Sequence, residues 1–345
     1  RLVFSHEFLE RADGWPGLRA AYDLPHQPTG IEHALAYQAL AEDAIDATDA
    51  YSTDGELKRY GLKVLADDKN FFPEYRPVPL LRTAVRERVE AALTELAGRI
   101  TDTRMQALNA QVVFDQRSFA EVAHDFLVEE GLADPAAGLA RASWQQELLA
   151  NVLQHLKLTG LALLLATVLA LGLCLAIFRQ AAVARIVLYV VSLLQTVPSI
   201  ALLALMIPLF GIGVLPAVIA LFLYALLPIV RNTLTALTTV DPTLVRTASA
   251  MGLTDRQQLK HLYLPLALPG IFAGVRTAAV ICIGTATLAA FIGAGGLGDP
   301  IVTGLSLNDT SLILRGAVPA ALLAILTELL FEGLERALLP RHLRR

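Results

Sequence analysis

Residues Arg246–Pro265 read RTASAMGLTDRQQLKHLYLP, and this stretch decides how the rest of the chain is organised. It carries Arg246, Asp255, Arg256, Lys260 and His261, yet it lies between two long uncharged runs. Nothing from Ile186 to Val230 is charged, and only Arg276 interrupts Leu262 to Gly298. Charged side chains are costly in hydrocarbon. A polar, helix-forming segment between apolar runs therefore lies outside a bilayer, where it is free to meet a soluble partner.

Working outward, a spanning helix needs about 20 apolar residues. Leu158–Phe178 supplies 21 between Lys157 and Arg179, and Ile186–Val230 supplies 45, enough for two spans split at the turn-rich Pro208–Pro216. Arg276 to Asp299 encloses a fourth, and Ala317–Leu334 is the fifth, with Glu328 and Glu332 in its last turns at the headgroups. Six spans result if the preceding linker helix also inserts. Lys and Arg mark cytoplasmic loops. Arg179 and Arg185, then Arg231, Arg246, Arg256 and Lys260, then Arg336, Arg341, Arg344 and Arg345 mark the first loop, the third loop and the tail. Pro208–Pro216 and Gly293–Thr310 have neither residue type. Loop 231–265 and the C-terminus are thus expected in the cytoplasm, and the N-terminal half outside. Lys157 and Arg315 oppose this and are outnumbered.

The charge distribution separates two bodies. Residues 1–134 hold 24 of the 32 acidic and 14 of the 28 basic side chains, a net of −10, and the remainder carries +6. With 55% hydrophobic and 17% charged residues, 345 residues do not describe one ordinary soluble domain. Cys174 and Cys282 both fall in apolar runs, so neither a disulfide framework nor a metal-ligand spacing is present. The sequence opens at Arg1 without a Met or signal segment, and the true N-terminus is expected upstream.

The acidic half reads as an irregular alternation of strands and helices. Leu2-Val3-Phe4, Ala44–Tyr51 and Leu62–Leu65 read as strands. Thr29–Leu40 reads as a helix with Ile31, Leu35 and Leu40 on one face. Leu80–Ile100 and Phe119–Gly131 read as helices, the latter starting after Ser118. Tyr51, Tyr60, Phe71, Phe72 and Tyr75 cluster beside Asp54, Asp67 and Asp68. Aromatic faces attract cations, quaternary ammonium groups included. The alternative use of these rings is ordinary core, to which Phe71 and Phe72 are assigned. A hinge at Asp134–Gly138 precedes a helix capped by Ser143, which either lies along the membrane interface with Trp144 at headgroup depth or simply connects. Within the spans, Gln195, Thr196, Ser199, Thr285 and Thr287 either line a path or bond between helices. Gly293-Ala-Gly295-Gly-Leu-Gly298 matches a dinucleotide fingerprint but lacks its strand and its acidic residue about 20 positions on. It reads as a glycine turn permitting close helix contact.

Two resemblances attach to these residues. SHEFLERADGWPGL, AYSTDG, LADDKNFFPEY and VAHDFLVEEGL resemble the second half of the substrate-binding proteins for choline and glycine betaine, over about residues 2–133. That resemblance implies an α/β lobe whose tyrosines box a trimethylammonium group, here Tyr51 and Tyr75. It also implies Arg11 as counter-charge to a ligand carboxylate, the alternative being an ion pair with Asp13 or Glu10. The family's other cage aromatics come from its first half, which this chain lacks. Further on, Gly252 followed by nine residues and then Leu262-Tyr263-Leu264-Pro265 resembles the EAA loop of ABC-transporter permeases. Only Ala248 survives of the leading triplet, and Arg246 stands where the family has Glu. TVPSIALLAL and AAFIGAGGLG also resemble permeases of osmoprotectant and methionine-type importers, over about residues 144–336.

These resemblances imply a two-part chain: a binding-protein domain over 1–133, a linker and interfacial helix over 134–156, an all-α permease domain of about five spans over 157–336, and a basic tail over 337–345. Ala248, Gly252, Leu262, Leu264 and Pro265 would form the ATPase-docking loop, two short helices with a bend at Gly252 and a sharp turn into the next span at Pro265. No G-x-x-x-x-G-K-[ST] loop occurs, so ATP and magnesium would be used by a separate ATPase subunit. The expected partners are that ATPase, a second permease copy as a homodimer, a small osmolyte and the lipid bilayer, without nucleic acid. The expected location is the bacterial plasma (inner) membrane. The leading function is ATP-driven import of a quaternary ammonium osmoprotectant. An amino-acid or other compatible-solute importer and a ligand-gated sensor or channel are the alternatives. Neither a metal cluster nor a nucleophile–base pair appears, so no catalytic residue is assigned.

Overall fold

The computed structural model describes residues 1–73, 75, 77–115, 117–136, 143–307 and 309–338. These form two compact units, one within Arg1–Arg141 and Ser306–Asp309 and one within Ala142–Leu305 and Thr310–Arg345.

In the first unit, β1 (Val3–Ser5) and β2 (Thr29–Ile31) pair in parallel, with Val3 opposite Thr29 and Ser5 opposite Ile31. A parallel pair needs a crossover, here provided by α1 (His6–Glu10) and α2 (Trp15–Tyr22). Phe4 is buried beneath them, 5.1 Å from the Trp15 ring and 5.2 Å from Phe8. Then follow α3 (His33–Ala41), α4 (Gly55–Arg59), α5 (Thr83–Thr94), α6 (Asp102–Val113) and α7 (Phe119–Glu129). Ser118 closes a capping box with Glu121, and Gly131 adopts φ +70° just beyond the helix end.

The lobe is more helical than its sequence pattern implies. Thr29–Ile31 is strand, and α3 buries Ala36 and Tyr37, leaving Leu35 exposed. Ala44–Tyr51 forms no strand beyond an isolated parallel bridge between Leu2 and Ala47. The physical reason lies just after that bridge. The Asp49 carboxylate takes the Ser5 N–H at 2.6 Å and the Ser5 hydroxyl at 2.7 Å, so a side chain occupies the donor that a third strand would use. Leu62–Leu65 is also irregular, with Val64 and Leu65 exposed. The helix expected over Leu80–Ile100 is shorter, and Thr101 starts a separate one by capping Arg104 N–H.

The second unit is helical. α8 (Trp144–Ile177) begins at the Ser143 capping box and continues for 34 residues without a break. The expected interfacial helix and first span are therefore one helix, because no proline interrupts it. Leu158, Ala162, Ala166, Ala170 and Cys174 recur every four residues and are fully buried, a narrow stripe that lets α8 lie close against α11 (Val214–Thr238). The Cys174 thiol reaches the Val230 carbonyl at 3.8 Å, and Cys282 reaches Leu221 at 3.7 Å from the opposite side. Helix α11 is thus the central post of the unit.

Between them lie α9 (Ala181–Thr196) and α10 (Ser199–Phe210), bent 96° from one another. Proline disfavours helix in the residue before it. Val197 before Pro198 is extended, and its freed carbonyl accepts the Tyr224 hydroxyl. This break falls inside a stretch expected to be one span. The break at Gly211–Gly213 is the one anticipated.

After α11 come α12 (Pro242–Ala250), α13 (Asp255–Gln258), a π-turn over Leu259–Tyr263 and α14 (Leu264–Ala286), which tightens into a 3-10 turn over Thr287–Ile292. Pro265 does not bend the chain sharply, contrary to expectation. The π-turn, in which Leu264 N–H bonds the Leu259 carbonyl, absorbs the proline within one continuous helix. The fourth span therefore starts well before Arg276, which instead faces α16 (Thr310–Leu338) and pairs with Glu328 at 3.4 Å and Glu335 at 3.7 Å. Glu332 pairs with Arg336. A short α15 (Gly298–Ser306) precedes α16. Among the described residues, four helices are long and apolar enough to cross a membrane, five if α9 and α10 count as one span. Arg341, Arg344 and Arg345 of the basic tail, and the second half of the 134–138 hinge, lie outside the described residues.

Candidate functional site

In the first unit, the sequence-predicted ligand residues gather around α1. Tyr75 is half exposed, and its hydroxyl donates to Asp13 at 2.8 Å while accepting from Arg11 at 2.9 Å. The Arg11 guanidinium stands 5.5 Å from the Tyr75 ring centre. Its other N–H groups go to Asp13 at 2.9 and 2.5 Å and to Glu7 at 2.8 Å. Of five guanidinium donors, one has no partner among the described residues. The Arg11 hydrogen bond holds the Asp13 carboxyl far below the usual carboxylate range, the Tyr75 bond adding to it. In this state Arg11 orients Tyr75. The ion pair runs to Asp13 and Glu7, not to Glu10.

Tyr51 is also half exposed, on the loop leading into α4. Burial raises its hydroxyl pKa first, and the charges of Glu7, Arg11, Asp49 and Asp54 act on it next. Tyr75 bonds Arg11 directly, and Tyr51 feels its charge. Phe72 is exposed and stacks edge-on with Phe71 at 5.0 Å, so it is not core. A trimethylammonium group cannot donate hydrogen bonds and is held by ring faces and nearby negative charge. Two half-exposed tyrosine rings near acidic side chains offer that chemistry, with the Arg11 guanidinium already standing over Tyr75.

Sequence reading missed His33. Its Nε2 lies 3.2 Å from Asp54, its Nδ1 3.6 Å from Asp49, and its ring 5.4 Å from that of Tyr51. Contacts with Asp49 and then Asp54 push His33 up to about 9, against burial. Three aspartates flanking Tyr51 in DATDAYSTD were the available signal.

In the second unit, the Arg246–Pro265 stretch forms two short helices. Asp241 caps α12 by accepting Thr243 N–H at 2.7 Å, and Thr254 closes a capping box with Gln257 on α13. Gly252 turns the corner at φ +80°. Ala248 is buried, Leu262, Leu264 and Pro265 are half buried, and Arg246 is exposed. Gln258, which no sequence signal marked, braces the corner from inside: its amide donates to Ser249 at 3.1 Å and to the Leu253 carbonyl at 3.0 Å. Asp255 pairs with Arg179, whose guanidinium lies beside the Phe178 and Tyr263 rings. The outer face of the corner carries exposed Leu244 and Met251.

The polar residues within the spans are mostly turned inward on their own helices. Thr196 donates to Leu193, Thr285 to Ile281 and Thr287 to Gly284. Gln195 and Ser199 flank the Val197–Pro198 break without a side-chain hydrogen bond among the described residues. The Gly293–Gly298 turn wraps α8: Gln154 donates to the Ala294 carbonyl at 2.8 Å, and fully buried His155 bonds the Ile283 carbonyl at 3.0 Å and accepts Leu297 N–H at 3.4 Å. A Cβ on Gly298 would sit 1.9 Å from the Thr287 carbonyl oxygen. The turn's glycines serve close backbone approach.

Residues 152–344, more than half of the chain, match the family described as binding-protein-dependent transport system inner membrane component. The chain belongs to that family. Residues 1–129 of this permease match a second description, substrate binding domain of ABC-type glycine betaine transport system. Its relatives include a carnitine transport permease of Listeria monocytogenes, 45% identical over 57% of this chain and 90% of the relative. A choline transport system permease of Bacillus subtilis is 41% identical over 58% and 92%. An osmoprotectant import permease of Salmonella typhimurium is 47% identical over 55% and 91%. Among solved structures, an inward-facing methionine ABC transporter covers 56% of this chain and 96% of its own at a TM-score of 0.51 and 24% identity. That likeness concerns the fold alone.

Proposed function

We propose that this permease captures a quaternary ammonium osmolyte with its N-terminal lobe and forms part of the membrane path by which an ATP-hydrolysing partner imports it. One observation carries the reading: a glycine betaine-type binding domain and a transport permease are fused in a single chain. Relatives of the permease half named for choline, carnitine and osmoprotectants support the substrate class.

Tyr51 and Tyr75 receive the trimethylammonium group, and the remaining Arg11 N–H is the group available to a ligand carboxylate. The α12–Gly252–α13 corner docks the ATPase subunit, which supplies ATP and magnesium chemistry. A second permease copy completes the path as a homodimer. Counting α9 and α10 as one span gives an odd number of crossings, which supports a lobe outside and a docking corner inside.

The test is uptake of choline, glycine betaine and carnitine into vesicles holding the full-length protein with its ATPase. Uptake that ceases when the ATPase is disabled supports the reading. Uptake that persists makes the protein a channel, and calorimetric preference for an amino acid over all three ammonium compounds overturns the substrate class.

A further inference from the structure

We infer that His33, as an imidazolium held between Asp49 and Asp54, is the positioning residue that sets both Tyr51 and Tyr75 for a quaternary ammonium ligand. The inference rests on the ligand class proposed above and adds the element that builds its site.

The geometry runs in two directions from His33. Toward Tyr51, Asp54 accepts the Tyr51 backbone N–H at 3.1 Å, the Tyr37 hydroxyl, and His33 at 3.2 Å on the same oxygen, while the His33 ring packs edge-on against Tyr51. Toward Tyr75, Asp49 holds the Ser5 N–H and hydroxyl, and the Ser5 hydroxyl accepts Phe8 N–H at 3.2 Å as the cap of α1. The C-terminal cap of α1 is Arg11, the residue bonded to Tyr75. Two half-buried carboxylates on one short loop repel each other. A cation between them removes that repulsion and fixes both ends of the loop at once. His33 thereby joins two tyrosines that lie on separate segments.

The charged and titratable groups facing His33 are Asp49, Tyr51 and Asp54 of the loop, Tyr37 of its own helix, and Glu56 of α4. Burial pushes Asp49 and Asp54 up, but His33 together with the Ser5 bonds to Asp49 and the Tyr37 and Tyr51 bonds to Asp54 outweighs it, and both end below the ordinary carboxylate value. Burial raises Tyr37 and Tyr51, with Asp54 adding to both, so neither tyrosine ionises ahead of His33. Among these facing groups, His33 is therefore the one that changes charge as pH rises through about 9.

The experiment measures choline and glycine betaine affinity of the full chain in nanodiscs by calorimetry, from about pH 6 to about pH 10. The wild type is expected to bind with constant affinity up to about pH 8 and to weaken with a midpoint near 9. His33→Gln is expected to bind about tenfold more weakly at neutral pH, with a flat profile. Asp49→Asn keeps an acceptor for Ser5 while withdrawing one charge, and is expected to move the midpoint toward the ordinary histidine value of 6.5. If His33→Gln does not fold, the wild-type profile and the Asp49→Asn midpoint decide. A flat wild-type profile, or an unmoved midpoint in Asp49→Asn, overturns the inference while leaving the functional reading intact. Absence of binding by the wild type overturns both.

Discussion

Replacing Gly252 by Ala isolates the conformation of the α12–α13 corner, proposed above to dock the ATPase, from its contacts. At φ +80°, Gly252 occupies backbone space that L-residues enter at a cost of about 1–2 kcal/mol. A Cβ built there meets nothing within 4 Å, so the substitution adds no clash and its whole effect is backbone strain. Beside the backbone bonds from Gly252 N–H to Ser249 and from Leu253 N–H to Ala248, the bent corner is braced by the Gln258 amide, bonded to Ser249 and Leu253. Two such bonds contribute about 1 kcal/mol each. The strain in the Ala variant therefore offsets most of that brace and shifts the population toward open corners. If the ATPase reads the bent form, its affinity for the permease falls in proportion to the bent fraction, by about twofold at most. Asn tolerates left-handed backbone better than Ala, so Gly252→Asn should recover most of the loss. The assay is ATPase-subunit binding to the nanodisc-embedded chain by surface plasmon resonance. Wild-type affinity in Gly252→Ala, or equal losses in Ala and Asn, would refute the strain argument.

Three further outcomes are expected. Tyr51→Ala and Tyr75→Ala should each weaken choline binding by about 5- to 30-fold, the equivalent of about 1–2 kcal/mol for a cation–π contact, as read by calorimetry. Melting of the N-terminal lobe should be pH-dependent. His33 has its pKa raised from 6.5 to about 9 on folding, so its contribution is complete below about 6.5 and is lost as pH rises through 9, about 2 kcal/mol for a group one-quarter exposed. Asp49 and Asp54 are shifted the opposite way, so their contribution is present above about 4 and is lost in acid. Calorimetric scans across this range check both signs. Gly298→Ala should prevent the glycine turn from closing on α8, destabilising the permease unit by about 3 kcal/mol or more in denaturant titration, because Thr287 backbone stands where the methyl would go.

Features set by local chemistry were legible in the amino-acid order. The caps at Ser118 and Ser143, the corner at Gly252 and the break at Gly211–Gly213 each follow from one residue acting on its immediate neighbours. Tyr51, Tyr75 and Arg11 were picked out by pattern and resemblance; the structure bonds Tyr75 to Arg11 and packs Tyr51 against His33, and their role as a ligand site is the proposal. What was not legible depends on partners distant in the chain. Ala44–Tyr51 alternates like a strand, but Asp49 takes the Ser5 donor and the ladder ends at one bridge. Val197–Pro198 breaks a span because Tyr224, 27 residues on, accommodates the freed carbonyl. Pro265 was expected to bend the chain because proline usually does, and only the widened turn before it shows why it does not. His33 stood unmarked since its meaning lies in two aspartates 16 and 21 residues away.

The uninterrupted helical run from Asp255 to Ile292 has a mechanical corollary. Its 38 residues span about 57 Å at about 1.5 Å per residue, against a hydrocarbon thickness of about 30 Å. Steep tilt alone does not conceal such a rod, and its charged end at Asp255, Arg256, Lys260 and His261 is the end that must project. The corner at Gly252 therefore stands off from the lipid on a stiff stalk. A push applied there travels along the rod into the bilayer's interior, with the π-turn beside Pro265 and the internal Pro269 as points of compliance near its base.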